Sequence, residues 1–281
     1  AELTNYISDF AAAMPEDNAT MAAIKSHFTD TSSRKPLSFT TFSSVDKFSS
    51  VTFKEGTYLI GAPEMVLRDQ YEDYANDITP FAEKGYRVLV FGKYEGTLTD
   101  KQLSAPVTPL GFILLSNAIR ANAKKTFQYF GQQGVDVKVI SGDNPATVSH
   151  IAKEAGVKHA DDYIDARELT TVESVAQAVK THTVFGRVTP EQKKMFVKVL
   201  QKDGNTVAMT GDGVNDILAM KEADCSIAMA SGSDATAHAA QVVLLESDFS
   251  KMPQVVMEGR RVVNNIERSS SLFLVKNIFS F

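Results

Sequence analysis

The stretch VAMTGDGVNDILAM (207–220) sets two aspartates, an asparagine and two glycines between apolar residues. Such an exit from a strand-like run suits either an ordinary polar turn or a place where backbone and carboxylates gather around a phosphate or a metal ion. Asp212 follows the strand-like TVAMTG, and Gly211 and Gly213 leave room for a close ligand and permit unusual backbone angles. Asn215 and Asp216 begin the next helix. Magnesium is usually held by a carboxylate or two, keeping several waters and sharing phosphate oxygens. A plain Asp–Gly turn explains one aspartate well; two aspartates and an asparagine within five residues fit a magnesium and phosphate site better.

Two further turns have related chemistry. In VKVISGDNPAT the Ser141 hydroxyl and the backbone amides after it lie where a helix starts, and free amides at a helix N-terminus favour an anion. Taken alone, Ser141 and Asp143 read rather as a turn and an N-cap. In GRVTPEQKKMF, Pro190 is placed to open a helix with Thr189 as its cap. Lys193 then falls in the first turn, where a cation opposes the macrodipole unless an anion sits in front of it. Arg187 at the strand end is a second cation; by itself this pair reads equally as two solvated surface charges. Together the turns hold a hydroxyl, a lysine, a magnesium-type aspartate and a supporting asparagine. Those are the parts of phosphoryl transfer, in which positioning and charge neutralisation carry most of the catalysis. No candidate nucleophile stands at the end of an additional strand.

The elements that must position these turns change rhythm along the chain. From about residue 110, short apolar strands (GFILL, VDVKVIS, HTVFGR, TVAMTG, CSIAMA, QVVLL) alternate with helices expected over 117–133, 145–155, 190–202 and 214–222. Continuous apolar strands spaced by helices predict a doubly wound α/β domain with a parallel sheet covered on both faces. Ligands of such sheets collect at the carboxyl ends of the strands, where all three turns fall. Residues from about 1 to 107 predict a smaller α+β unit: a helix at TMAAIKSHF, mostly strand over 36–67, a hairpin with Gly56 in its turn, a helix over 70–84 and a strand at RVLVFG. The segment 93–109 has the Gly, Ser, Thr and Pro content of a loop or hinge.

Composition narrows the functional classes. The chain has 281 residues, 43% hydrophobic and 22% charged, enough for two globular domains with a core in each. A formal charge of −5 without a basic stripe argues against nucleic acid as a partner. The lone Cys225 cannot form an internal disulfide, which fits a reducing compartment. The N-terminal residues do not read as a signal peptide, and no apolar run reaches the roughly 18–20 residues that cross a bilayer. The stretch SLFLVKNIFSF (271–281) stops without a cap, as a docked helix or as the first turns of a membrane helix.

With these residues in place the sequence resembles a known family. TGDGVND is similar to the hinge motif of P-type (E1-E2) cation-transporting ATPases, a branch of the haloacid dehalogenase superfamily. SGDNPATVSHIAKEAG is similar to the family's T-G-D-N segment with serine for threonine, and FGRVTPEQK to its F-A-R-x-x-P-x-x-K segment. EGRRVVNNIERSSSLFL resembles the stalk helix leading to a membrane span, and FSSVDKFSSV and GAPE resemble the nucleotide-binding domain. The resemblance implies a Rossmann-type phosphorylation domain over 108–267, lacking its first strand, the C-terminal part of a nucleotide-binding domain over 1–107, and the start of a stalk helix over 268–281. It implies Mg2+ at Asp212, with Asp216 supporting that metal. Asn215 and Ser141 would bond the phosphoryl group and Lys193 would neutralise it. Asp143 and Arg187 would contact nucleotide or order the junction loops. Phe42 would stack on adenine and Arg87 approach the phosphates, with Gly61 and Gly142 also lining the ATP path.

The departures have consequences of their own. The family's phosphorylated aspartate lies in D-K-T-G-T, which does not occur in the sequence, so the chain itself is expected not to autophosphorylate. Ile60 stands where the family usually has lysine before G-A-P-E, and Asn117 where it commonly has aspartate at the domain hinge; ATP binding is expected to be weak. The absence of a His-Pro dipeptide favours pumps for calcium or another hard cation over heavy-metal pumps. The parent would be an integral plasma-membrane pump, with this part on the cytoplasmic face. Two other readings are a dehalogenase-type phosphatase, which would need a D-x-D nucleophile that the sequence does not contain, and a non-catalytic nucleotide sensor.

Overall fold

The computed structural model describes residues 2–15, 18–43, 45–96, 98, 102–116 and 119–279. The chain divides into two compact units, Ala1–Asn117 and Ala118–Phe281.

The first unit is built on five strands: β1 (Ser38–Thr40), β2 (Phe48–Phe53), β3 (Gly56–Gly61), β4 (Arg87–Tyr94) and β5 (Val107–Leu115). They lie in sequence order, each antiparallel to the next. The predicted hairpin joins β2 to β3, and Gly56 takes φ +139° in its turn, a region L side chains rarely enter. Packed with the sheet are the α-helices α1 (Glu2–Ala13), α2 (Ala19–His27), α3 (Pro63–Leu67) and α4 (Tyr71–Glu83). Successive strand residues point to opposite faces, and both faces are covered. Tyr58, Ile60, Leu89 and Phe91 pack with Phe10 and Ile24 from the first two helices. Leu59, Val88 and Val90 pack with Val66, Leu67 and Ile78 from the other two. This double cover makes the central strands read as unbroken apolar runs although the sheet is antiparallel.

Here the structure corrects the sequence reading. GFILL is the end of β5, paired along its length with β4, and not the first strand of the parallel domain. Its unbroken apolar run misled, because over five residues it cannot tell an edge strand from a parallel one; Ile113 is buried while Leu114 stays exposed. The segment 93–109 is therefore partly strand, and the two compact units divide after Asn117. Residues 41–43 and 45–47 are not strand, so Phe42 lies in a loop after β1. The hinge position Asn117 lies outside the described residues.

The second unit is α/β. Its strands are β6 (Val139–Ile140), β7 (Tyr163–Asp165), β8 (Val184–Gly186), β9 (Ala208–Gly211), β10 (Cys225–Met229) and β11 (Val242–Leu244), with every pairing parallel. Helix α5 (Ala123–Gln132) precedes them; between them run α6 (Pro145–Glu154), α7 (Val172–Thr181), α8 (Pro190–Lys202), α9 (Ile217–Glu222) and α10 (Asp234–Ala239), followed by α11 (Met252–Phe279). The parallel strands form two three-stranded groups, β6-β8-β7 and β11-β10-β9, where one sheet was expected. The sequence reading missed β7, because Tyr163–Asp165 is too short to carry a strand signal, and it also missed α7, although Thr171 and Ser174 form a capping box at its start. Helix α5 begins at Ala123 rather than 117, and β6 is two residues long. Helix α11 runs without a break through residue 268, and no helix among the described residues is long and apolar enough to cross a membrane.

Candidate functional site

Three strand exits of the second unit converge on a cavity of ≈ 320 Å³. It is lined by Ser141 and Gly142 after β6, Lys193 in the first turn of α8, and Asp212 and Asp216 around the exit of β9. Thr210 and Met229, which sequence reasoning passed over, complete the wall with their strands. Among the described residues Asp143, Arg187 and Asn215 stand outside this lining.

Each exit is fixed by local chemistry. Thr189 and Gln192 form a capping box at the start of α8, with Pro190 following the cap as predicted. The Gln192 side-chain amide also donates to the carbonyls of Ala166 and Leu169, 2.7 and 3.1 Å away, tying the helix to the β7 exit. Asn144, not Ser141 or Asp143, caps α6, accepting from the amides of Ala146 and Thr147. Ser141 forms the turn instead, its Oγ accepting from the Asp143 amide at 3.2 Å.

The β6 and β8 exits are bonded to each other. The Ser141 amide donates to the Phe185 carbonyl, Val188 to the Ser141 carbonyl and Arg187 to the Asp143 carbonyl, all at 2.8–2.9 Å. Gly186 is needed at this crossing because a Cβ there would stand 2.4 Å from the Pro145 Cα.

Lys193 and Asp216 are the electrostatic centre. The Lys193 Nζ donates to Asp216 Oδ1 at 2.6 Å, with the two side chains 12% and 10% exposed. Asp216 Oδ2 accepts from the amides of Asp212 and Gly213, each at 3.3 Å. Asp216 thus answers the lysine's mismatch with the helix dipole and ties down the Asp212 loop. Neither Gly211 nor Gly213 adopts a positive φ, contrary to the expected unusual backbone angles. Glycine at 211 serves close packing: a Cβ would meet the Asp216 Cβ at 2.5 Å. Asp212 is exposed at the cavity, and among the described residues no three His, Cys, Asp or Glu side chains cluster as a metal cage. A lone carboxylate with room for water fits magnesium rather than a metal held wholly by protein.

Arg187 is not a solvated cation. Its guanidinium donates to Asp165 Oδ2 at 2.6 Å, each side chain 13% exposed, and Arg167 grips the same carboxylate. Arg187 holds φ +54°, a costly conformation for a side chain with a Cβ, and the ion pair and the Asp143 bond retain it there. Burial works to raise the Asp165 carboxyl, but the hydrogen bonds from Arg167 and Arg187 outweigh it and hold it below the ordinary range. A depressed folded-state pKa adds stability above the unfolded value of about 3.9, and that stability is lost as pH falls through the folded value. The stability gap between wild type and Asp165→Asn is therefore expected to be constant from neutral pH to about 5 and to shrink below about 4. Urea midpoints across pH 3–7 check it; a gap independent of pH would remove the Asp165 carboxylate from this account.

In the first unit a second cavity, of ≈ 160 Å³, is lined by Phe42, Gly61 and Arg87, which brings the three expected nucleotide-binding residues of this unit together. Asn18, Met21 and Ile24 of the α2 region form its other wall, with no motif to reveal them. Ile60 also lines it, an apolar side chain where the family pattern has lysine. Phe42 is 42% exposed, so it is a rim aromatic and not a core residue.

Parallel strands whose exits bring a carboxylate, a lysine and a hydroxyl to one cavity make an α/β unit of the class that collects ligands at its strand ends. The chain belongs to the haloacid dehalogenase-like hydrolase family, whose pattern matches residues 7–224. It is 40% identical over 282 residues to the probable cation-transporting ATPase exp7 of Streptococcus pneumoniae serotype 4, covering 99% of this chain and 36% of that protein. It is 41% identical over 280 residues to the calcium-transporting ATPase CtpE of Mycobacterium tuberculosis, covering 99% and 35%. The cation-transporting ATPase pma1 of Synechocystis is 34% identical over 229 residues, covering 78% and 25%. The chain spans about a third of the length of the first two relatives, and the resemblance to P-type cation-transporting ATPases is upheld.

Proposed function

We propose that the chain is the cytoplasmic catalytic part of an ATP-driven cation pump that works through an aspartyl phosphate. The observation that carries this reading is the cavity joining Ser141, Lys193 and Asp212 at the strand ends. Among the described residues β6 pairs only with β8 and β9 only with β10, and both flank that cavity. A further parallel strand, from a segment outside this sequence, would seat between them and carry the nucleophilic aspartate. Ser141 and the Gly142 amide would bond the phosphoryl oxygens, and Lys193 would share its charge between them and Asp216. Asn215 would turn in from the rim as a further donor. Asp212 would hold Mg2+, which when bound draws negative charge from the phosphoryl oxygens. Asp216, with both oxygens engaged, serves as the support of that loop. Asp143 and Arg187 order the β6 and β8 exits. ATP would place its adenine against Phe42 and Ile60 and its phosphates toward Arg87.

The names of the relatives support a cation as cargo, with calcium or another hard cation favoured, and a membrane-embedded parent whose plasma-membrane domain binds it. Titrating ATP into the labelled chain tests the nucleotide claim. Saturable amide shifts at Phe42, Gly61 and Arg87, weak and in the millimolar range, are expected, with no phosphate transferred to the chain. Unmoved resonances at those three residues would sink the nucleotide site.

A further inference from the structure

The residue that would hold the metal is fixed from two sides. Asp216 holds the amides of Asp212 and Gly213 from the front, but the Asp212 carbonyl faces the other way, toward the loop after β10. There the Ser233 amide donates to it at 3.0 Å. Gly232 lies so close that a Cβ would stand 2.2 Å from the Asp212 carbonyl oxygen and 2.9 Å from its Cα. Contacts under 3.0 Å against backbone force movement, since no rotamer relieves them.

The loop making this contact is itself anchored. The Ala230 amide donates to the Leu244 carbonyl and that of Gly232 to the Met229 carbonyl. Ser233 caps α10 by accepting from the Thr236 amide, and Thr236 is fully buried. Because β10 pairs with β9, with Ala228 opposite Gly211, the anchor and the metal loop leave neighbouring strands side by side.

We infer that Gly232 and Ser233 are positioning residues for Asp212, setting its carboxylate by backing its main chain. This rests on the reading of Asp212 as a magnesium ligand. Residues that orient a metal ligand without touching the metal typically change affinity by about 10–100-fold.

The test compares three variants of the labelled chain by NMR, before and during Mg2+ titration, with a thermal melt for each. Gly232→Ala drives a methyl into the Asp212 backbone. Ser233→Pro suits the observed φ of −72° but replaces the donating amide with a ring. Ser233→Ala keeps that amide and loses only the cap. Gly232→Ala and Ser233→Pro are expected to shift the Asp212 and Gly213 amides in metal-free protein and to weaken Mg2+ by about tenfold or more. Ser233→Ala should leave both near wild type. If Gly232→Ala loses its dispersed spectrum, Ser233→Pro carries the comparison.

Wild-type Mg2+ affinity and unmoved Asp212 amides in both disruptive variants would overturn the inference. So would an equal loss in Ser233→Ala, which would make the cap the cause. A wild-type chain that ignores Mg2+ would defeat the metal reading instead, while the metal-free shifts still decide whether the loop positions Asp212.

Discussion

Replacing Asp216 with alanine is expected to cost about 3 kcal/mol of unfolding free energy, read from urea denaturation at neutral pH. The cost comes less from losing an attraction than from what remains. Lys193 is left as an ammonium only 12% exposed, and the amides of Asp212 and Gly213 lose the acceptor between them. An exposed ion pair would contribute at most about 1 kcal/mol, so burial decides the magnitude. The companion variant separates the causes. Lys193→Met removes the charge that Asp216→Ala would strand, so the double variant should be more stable than Asp216→Ala alone, giving a coupling of about 1–3 kcal/mol in a double-mutant cycle. Strictly additive changes would mean that the two side chains act independently. Amide exchange at Asp212 and Gly213 should accelerate in Asp216→Ala and much less in Lys193→Met, since the second leaves the carboxylate in place.

Gly186→Ala is expected to be comparably damaging, at about 3 kcal/mol, for a steric reason alone. The added Cβ would meet the Cα, N and Cβ of Pro145 at 2.4–2.6 Å, and all three atoms are main chain or part of a rigid ring. Relief requires the β8 exit to separate from the loop that carries Ser141. That loop is held by three backbone bonds from residues 141, 187 and 188, so the variant strains the site and the core together. Gly204→Ala is the control. It sits at φ +88° with nothing within 4 Å of its Cβ position, so only backbone conformation is penalised, at about 1 kcal/mol. Thermal or urea unfolding of the pair should rank Gly186→Ala well below Gly204→Ala. Equal losses would show that the crossing at Pro145 can yield.

Much of the site was legible because its chemistry is local. Thr189, Pro190 and Gln192 spell a helix start within four residues, and the structure has that cap. Gly211, Asp212 and Asp216 lie within one turn, so spacing alone brought them together. The partner of Arg187 was not legible, since Asp165 comes 22 residues earlier on a strand too short to recognise. Lys193 gave half its meaning: the conflict with the helix dipole could be read, but its resolution by Asp216, 23 residues away, could not. The misplacement of GFILL has the same origin. An apolar run of five residues reads the same on an antiparallel edge as in a parallel sheet, although only Ile113 of this run is buried and Leu114 is exposed.

The sequence by itself determined the parallel α/β rhythm, the caps and turns, and the polar residue types gathered at the strand exits, because these depend on periodicity and on neighbours within a few positions. The tertiary structure decided which carboxylate stays exposed and which is consumed in holding a loop. It also decided that Arg187 is an internal tie, that Gly232 backs Asp212, and that the strands divide into two groups around the cavity. Those outcomes depend on contacts between segments distant in sequence, and residue spacing does not encode such contacts.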